Sequence, residues 1–220
     1  KGCGERLAII TNGGGPGVLA ADHAADLGLK LVSLSKATLQ RLDMVLPSTW
    51  SHSNPLDIIG DASPQRYKEA ITICLEDPEV DGVVVILTPQ AMTHPEDVAR
   101  VIVEVSREQE KPILTSWMGG TQVASSRKLF ADAKIPSYST PETTIEAFHF
   151  LTVYEANQKL LLQTPAKSSR SQKKQADVGA ARLIIESALG SKRKTLSEFE
   201  SIAILKAFHI PTVRNGIAHS

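Results

Sequence analysis

The sequence predicts a doubly wound α/β fold, a mostly parallel flavodoxin-like sheet, over residues 5–163, followed by a small, incomplete α/β segment. Three observations carry this. Five short apolar runs alternate with stretches of helical periodicity. One run, Val83-Val84-Val85-Ile86-Leu87, has no polar residue, as expected of a central parallel strand covered on both faces. A glycine-rich turn, Thr11 to Gly17, joins the first apolar run, Leu7 to Ile10, to the alanine-rich helical segment Val18 to Leu27.

The elements follow in order. Gly28 supplies a helix stop, Leu29 to Leu34 reads as a second strand, and Ser35 caps a helix from Lys36 to Leu46. Ser63-Pro64 is a cap followed by proline at the first helical position, after which Tyr67, Ala70, Ile71, Cys74 and Leu75 mark one helical face. His94-Pro95 opens the helix after the central strand, with Val98, Val101, Ile102 and Val105 at helical spacing. Pro112 to Trp117 is a strand, and Val123, Leu129 and Phe130 line the helix after Gly119-Gly120. Ile135 to Tyr138 is a short strand, and Thr140-Pro141-Glu142 begins a helix running to Gln163.

The glycine turn carries the chemical signal. Consecutive glycines permit close backbone approach, and the helix start leaves N–H groups without intrahelical partners, so the turn suits an anion. With Pro16 read as the first helical residue, the expected phosphate donors are Gly14, Gly15, Gly17 and Val18, with Asn12 and Gly13 in the same loop. A nucleotide P-loop needs Lys and Ser or Thr after its last glycine, where Val18-Leu19 stand. A dinucleotide fingerprint fits only from Gly15, and the second strand ends without an acid for a ribose, which argues against NAD. Tight helix-on-strand packing is the competing explanation of the glycines.

Ligands of doubly wound sheets sit outside the carboxyl ends of the strands. The loops at that edge are Asn12 to Gly17, His52 to Asp61, Thr88-Pro89-Gln90, and Trp117-Met118-Gly119-Gly120. Asn54, Asp57, Thr88, Trp117, Gly119 and Gly120 are therefore the supporting candidates.

Lys plus Arg and Asp plus Glu each number 24, so the formal net charge is zero and nothing electrostatic points to nucleic acid or an anionic membrane. No apolar run is long enough to span a bilayer and no signal peptide opens the chain, which leads us to expect a cytoplasmic protein. Cys3 and Cys74 form no disulfide framework, and no cluster of ligand residues suggests a metal. Residues 164–178 are polar and read as a linker between a domain at 1–163 and a segment at 179–220. That segment contains a helix at 179–189, another from Leu196 or Ser197 to Phe208, and a strand starting near Pro211. It is too short for its own core, so we expect the chain to be a piece of a longer polypeptide.

The motifs Arg6-Leu-Ala-Ile-Ile-Thr-Asn-Gly-Gly-Gly-Pro-Gly-Val-Leu-Ala-Ala-Asp22, Asn54-Pro55-Leu56-Asp57, Ile86-Leu-Thr-Pro-Gln-Ala-Met-Thr93 and Trp117-Met118-Gly119 resemble the succinyl-CoA synthetase-like, CoA-ligase domain of NDP-forming acyl-CoA synthetases. The run Tyr154-Glu-Ala-Asn-Gln-Lys-Leu-Leu-Leu-Gln-Thr-Pro165 is similar to Pat-type protein lysine acetyltransferases, and Leu196 to Val213 resembles the opening of an ATP-grasp domain. The resemblance implies that the parent uses CoA, ATP or ADP, and Mg2+, and that this domain's glycine loop receives a phosphohistidine. Upstream CoA-binding and phosphohistidine domains and a downstream ATP-grasp domain would be its partners; a homo-oligomer is also compatible. The family's phosphohistidine motif is absent, since none of His23, His52, His94, His149, His209 and His219 has a Ser-His-Thr-Gly-Ala context. The expectation is therefore that this piece holds no catalytic residue and is inactive alone. In a Pat-type parent the region would instead sense acyl-CoA and control an acetyltransferase. His209 replaces a glycine usual before Ile-Pro, which implies a less regular helix end.

Overall fold

A computed structural model describes residues 4–163 and 176–213. Cys3, His219 and residues 164–175 of the expected linker lie outside the described residues. The chain divides into two compact units, Lys1–Gln163 and Thr164–Ser220.

The first unit is a parallel sheet in the order β2-β1-β4-β5-β6, with β3 also pairing with β1. The strands are β1 (Arg6–Thr11), β2 (Lys30–Leu31), β3 (Leu56–Asp57), β4 (Gly82–Leu87), β5 (Ile113–Trp117) and β6 (Ser137–Tyr138). Between them run α1 (Gly14–Asp26), α2 (Lys36–Val45), α3 (Pro64–Glu76), α4 (Pro95–Glu108), α5 (Ala124–Asp132) and α6 (Pro141–Leu162). Alternation along the buried strands sends successive residues to opposite faces. Leu7, Ile9, Val84, Ile86 and Leu114 pack with Ala20, Ala24, Ile145 and Phe148, so α1 and α6 cover one face. Ala8, Ile10, Val83, Val85, Leu87 and Trp117 pack with Leu42, Tyr67, Ile71, Ile102 and Phe130, so α2 to α5 cover the other. Both faces of β4 are thus filled, which is why its sequence carries no polar residue.

Local signals explain the boundaries. Ser35, Ser63 and Thr140 accept from backbone N–H groups two or three residues into their helices, and Pro64, Pro95 and Pro141 stand in first turns. Gly28 ends α1 at φ 74, with Leu29 N–H reaching Ala24 O at 2.9 Å. The second strand is shorter than expected. β1 pairs with β2 only at Arg6 and Leu7, while β3 takes Ile10 and Thr11. β3 itself was expected to be loop, because Leu56 and Ile58 supply only two apolar positions at strand spacing. β6 also contracts: Lys134 turns left-handed at φ 58 and Ile135 N–H closes the end of α5 on Phe130 O, so pairing starts at Ser137.

Arg6 and Asp81 tie the amino-terminal ends of β1 and β4 by two side-chain hydrogen bonds, Nε to Oδ2 at 3.0 Å and Nη2 to Oδ1 at 2.9 Å. Those bonds hold the Asp81 carboxyl below its ordinary range and push Arg6 up. Cys74 is buried against this core, and burial pushes its thiol up to about 12.

The second unit contains α7 (Val178–Gly190) and α8 (Glu198–Ala207). The expected linker therefore ends earlier than Val178, since Asp177 already caps α7 by accepting from Ala180 N–H at 2.9 Å. Ser197 and Glu200 form a capping box on α8, and Arg193 holds Glu200 at 2.7 and 2.8 Å, lowering its carboxyl to about 2. His209 does not make the helix end irregular. It adopts φ 56, and its N–H and that of Ile210 bond Lys206 O and Leu205 O at 2.9 Å, the pattern a glycine would give. Pro211 to Val213 form no strand, and the rest of the expected strand lies outside the described residues. Only Ala181 and Ala188 are buried among the described residues of this unit.

Candidate functional site

The carboxyl ends of β1, β3, β4 and β5 bring the four predicted loops to one edge of the sheet. The glycine loop leaves β1 through two residues that are almost fully buried, Thr11 and Asn12. Thr11 Oγ1 accepts from Gly13 N–H at 3.1 Å and donates to Gly13 O at 2.9 Å, which sets the turn. Asn12 acts as a splice between strands: its Nδ2 donates to Thr88 O at 2.9 Å and its Oδ1 accepts from Thr88 N–H at 2.8 Å. Beneath it the buried Tyr67 hydroxyl donates to Ile86 O at 3.1 Å and accepts from Asn12 N–H. Burial and the nearby Asp57 carboxylate push that hydroxyl well above its ordinary value, so it stays neutral and positions the loop. Tyr67 was legible only as a core position of a helix face.

Helix α1 begins at Gly14 with Gly13 as its cap, so Pro16 is the third helical residue and not the first. The number of available donors changes accordingly. Gly17 N–H bonds Gly13 O at 3.3 Å, and Val18 N–H lies inside the helical ladder. The four expected donors thus reduce to Gly14 and Gly15, both exposed at the first turn. Gly17 is required for packing, since a Cβ there would stand 2.9 Å from Thr11 Cγ2. Gly15 is different: a Cβ there would meet nothing within 4 Å. The packing explanation of the glycines holds for Gly17 and leaves Gly15 open to a ligand.

The supporting residues separate into two groups. Asn54 is structural: Oδ1 accepts from Ile9 N–H at 2.9 Å, and Nδ2 donates to Leu7 O at 2.8 Å and Val32 O at 3.1 Å. It fills the gap on β1 between β2 and β3. Trp117 is likewise fully buried, edge-on to Phe130 at 4.7 Å, with its carbonyl held by Arg127 Nη2 at 2.8 Å. Gly119 takes φ 102 against Pro89, and Gly120 is exposed at the turn into a short 3-10 segment. Thr88 and Asp57 do face the glycine loop. Thr88 Oγ1 would lie 3.3 Å from a Cβ on Gly13, and Asp57 Oδ2 3.2 Å from one on Gly14. Gln90, at the edge of the next loop, reaches Asn12 O at 3.5 Å.

The histidines have other settings. His23 faces Glu146 on α6 at 3.4 Å, and His52 bonds Asp43 Oδ1 at 2.9 Å and Ser48 O at 3.1 Å. Among the described residues no group of three or more His, Cys, Asp or Glu could hold a metal ion. No described helix is long and apolar enough to cross a membrane.

Residues 7–156 match the model of the Ligase-CoA domain. The chain is 46% identical over 154 residues to an ADP-forming acetate–CoA ligase of Methanocaldococcus jannaschii, covering 68% of this chain and 22% of that protein. It is 32% identical over 218 residues to ADP-forming acetate–CoA ligase I of Archaeoglobus fulgidus, covering 97% of this chain and 30% of that one. Among solved structures, a dinucleotide-forming acetyl-coenzyme A synthetase 1 of Ca. Korarchaeum cryptofilum in complex with phosphate and ADP superposes with a TM-score of 0.68 at 32% identity, over 74% of this chain and 36% of that one. The chain thus spans less than a third of the length of these two curated relatives. With strand order, glycine loop and edge loops all in place, the chain belongs to the Ligase-CoA domain family, shared with ADP-forming acyl-CoA ligases.

Proposed function

We propose that this chain is the phosphoryl-positioning part of an ADP-forming acyl-CoA ligase, whose parent joins an organic acid to CoA while ATP is converted to ADP and phosphate, the acid's oxygen leaving on the phosphate. The observation that carries this is the start of α1, where Gly14 and Gly15 expose two N–H groups on the ligand edge with open space at Gly15. A phosphoryl group in transfer carries its charge on peripheral oxygens, so it gains from donors and a helix dipole already in position. A helix terminus contributes about 0.3–1 kcal/mol beyond the hydrogen bonds. Asn12, Thr11 and Tyr67 hold the loop, and none of them needs to exchange a proton. The phosphoryl group would be presented on a histidine of an upstream domain, while CoA, nucleotide and Mg2+ would be held by other parts of the parent. Acetate and 4-hydroxybutyrate, the acids in relatives' names, define the first substrates to try.

A second reading rests on the run Tyr154 to Pro165, which is similar to Pat-type acetyltransferases: the region would then sense acyl-CoA without turning it over. One experiment separates the two. In the full-length parent, Gly15→Glu should leave folding intact and lower ATP-dependent acyl-CoA formation by about 100-fold or more, as loss of preorganised anion donors does. An unchanged rate overturns the phosphoryl role. A parent that forms no acyl-CoA but acetylates protein lysines in response to acyl-CoA favours the second reading.

A further inference from the structure

Helix α6 runs on past its own packing. Its buried residues, Pro141, Thr144, Ile145, Phe148 and Thr152, stop at Thr152, and the stretch from Val153 to Leu162 buries no side chain. Along one flank of the helix Phe150, Leu151, Tyr154, Leu161 and Leu162 recur at helical spacing. Phe150 is 70% exposed, Tyr154 63%, Leu161 79% and Leu162 80%. Leu151, beside Ile113, Leu114, Ile135 and Pro136, also forms the apolar wall of a groove next to that flank. Gln158 is the polar residue on the stripe, while Glu155 and Lys159 lie off it and pair with each other at 3.6 Å. An apolar stripe of this length on a water-soluble surface marks a docking site.

The stripe reads the same in both directions. Phe150 and Leu162, Leu151 and Leu161, and Tyr154 and Gln158 stand at equal separations on either side of Ala156. Two copies of α6 laid antiparallel, with a two-fold axis level with Ala156, therefore set Phe150 and Leu151 of one against Leu161 and Leu162 of the other. The same pairing brings the Tyr154 hydroxyl beside the Gln158 amide, which can both donate and accept. We propose that this face of α6 is an isologous docking surface for a second copy of the chain. An aromatic side chain carries about 150–250 Å², so with its three leucines the stripe exposes about 600 Å². A symmetric pair then covers about 1,200 Å², the lower end of the range for specific interfaces. Other occupants fit less well. The stripe holds no charge and the chain has 24 basic and 24 acidic residues, so nothing calls for a charged partner or opposes a like one. Residues 164–175, Thr-Pro-Ala-Lys-Ser-Ser-Arg-Ser-Gln-Lys-Lys-Gln, offer no apolar face to lay against it.

Sedimentation of the 220-residue chain from about 1 to 200 μM tests this, the range in which an interface of such modest area should pass from monomer to dimer. Phe150→Glu alone and Leu161→Lys alone should each raise the dissociation constant by about tenfold or more, because every change enters a symmetric interface twice. Their far-UV circular dichroism should match the native chain, since both side chains are exposed. An equimolar mixture of the two variants should associate within about threefold of the native chain, because the new Glu of one copy then stands beside the new Lys of the other. A native chain that stays monomeric throughout overturns the proposal and assigns the face to another part of the parent or to a different protein. A dimer that survives both substitutions forms through another surface and overturns it equally. Variants that stay apart when mixed overturn the antiparallel pairing, and the proposal with it.

Discussion

Replacing Asn54 with alanine should cost the sheet domain a large part of its stability, and the size of the loss follows from its three hydrogen bonds. Ile9 is fully buried on β1, and its N–H bonds Asn54 Oδ1 at 2.9 Å. Removing the amide orphans that donor, at about 1–3 kcal/mol. The bonds from Nδ2 to Leu7 O and Val32 O are milder losses of about 0.5–1.5 kcal/mol each, since Leu7 O keeps Val32 N–H at 3.0 Å. The total centres on about 4 kcal/mol, against a domain stability of about 5–15 kcal/mol. Urea unfolding of the full chain, followed by circular dichroism, measures it. Asn54→Asp retains an acceptor for Ile9 but sets a carboxylate against two carbonyls, so it should also destabilise. A loss under about 1 kcal/mol for Asn54→Ala would refute the splice role. If that variant also lost anion binding at Gly14 and Gly15, Asn54 would be a site residue instead.

Four further outcomes are expected. Gly15→Ala should raise stability by about 0.5–1 kcal/mol in urea unfolding, because the Cβ meets nothing and alanine favours a helix, whereas Gly17→Ala should lower it by about 1–3 kcal/mol through contact with Thr11. Gly119→Ala, strained at φ 102 and pressed on Pro89, should cost about 2–4 kcal/mol by the same assay. Asp81 is held below its ordinary range, so its contribution is present above the unfolded-state value of about 3.9 and is lost as pH falls through the lower folded value. Thermal unfolding should thus weaken below about pH 4, with a shallower acid slope in Asp81→Asn. Finally, the 220-residue chain given acetate, CoA, ATP and Mg2+ should form no acyl-CoA in a thiol-ester assay; turnover would contradict the placement of the phosphate carrier and nucleotide site elsewhere in the parent.

Elements with strong periodicity are legible in the sequence, and those where side chains replace backbone pairing are not. Val83 to Leu87 has no polar residue because both faces are covered, and Ser35, Ser63 and Thr140 cap their helices as their chemistry requires. β3 is not legible because two residues carry no periodicity, and Asn54 lies in a ligand-edge loop of the sequence while its amide completes a strand ladder. A buried amide that hydrogen-bonds backbone is indistinguishable in sequence from one that faces a ligand. Pro16 suits the first helical position, yet α1 starts two residues earlier, which removes Gly17 and Val18 as donors. The loop pattern places Asp57 at the ligand edge, but the direction of Oδ2 toward Gly14 depends on its bonds to Ile59 and Ser51, which no sequence pattern shows.

Whether the start of α1 holds a phosphoryl group can be seen in a crystal structure of the chain grown or soaked in phosphate. The expected result is a phosphate with oxygens about 2.7–3.2 Å from the N–H nitrogens of Gly14 and Gly15. A saturated crystal in which phosphate settles elsewhere, with the Gly14 and Gly15 N–H groups bonded to protein atoms, would contradict it.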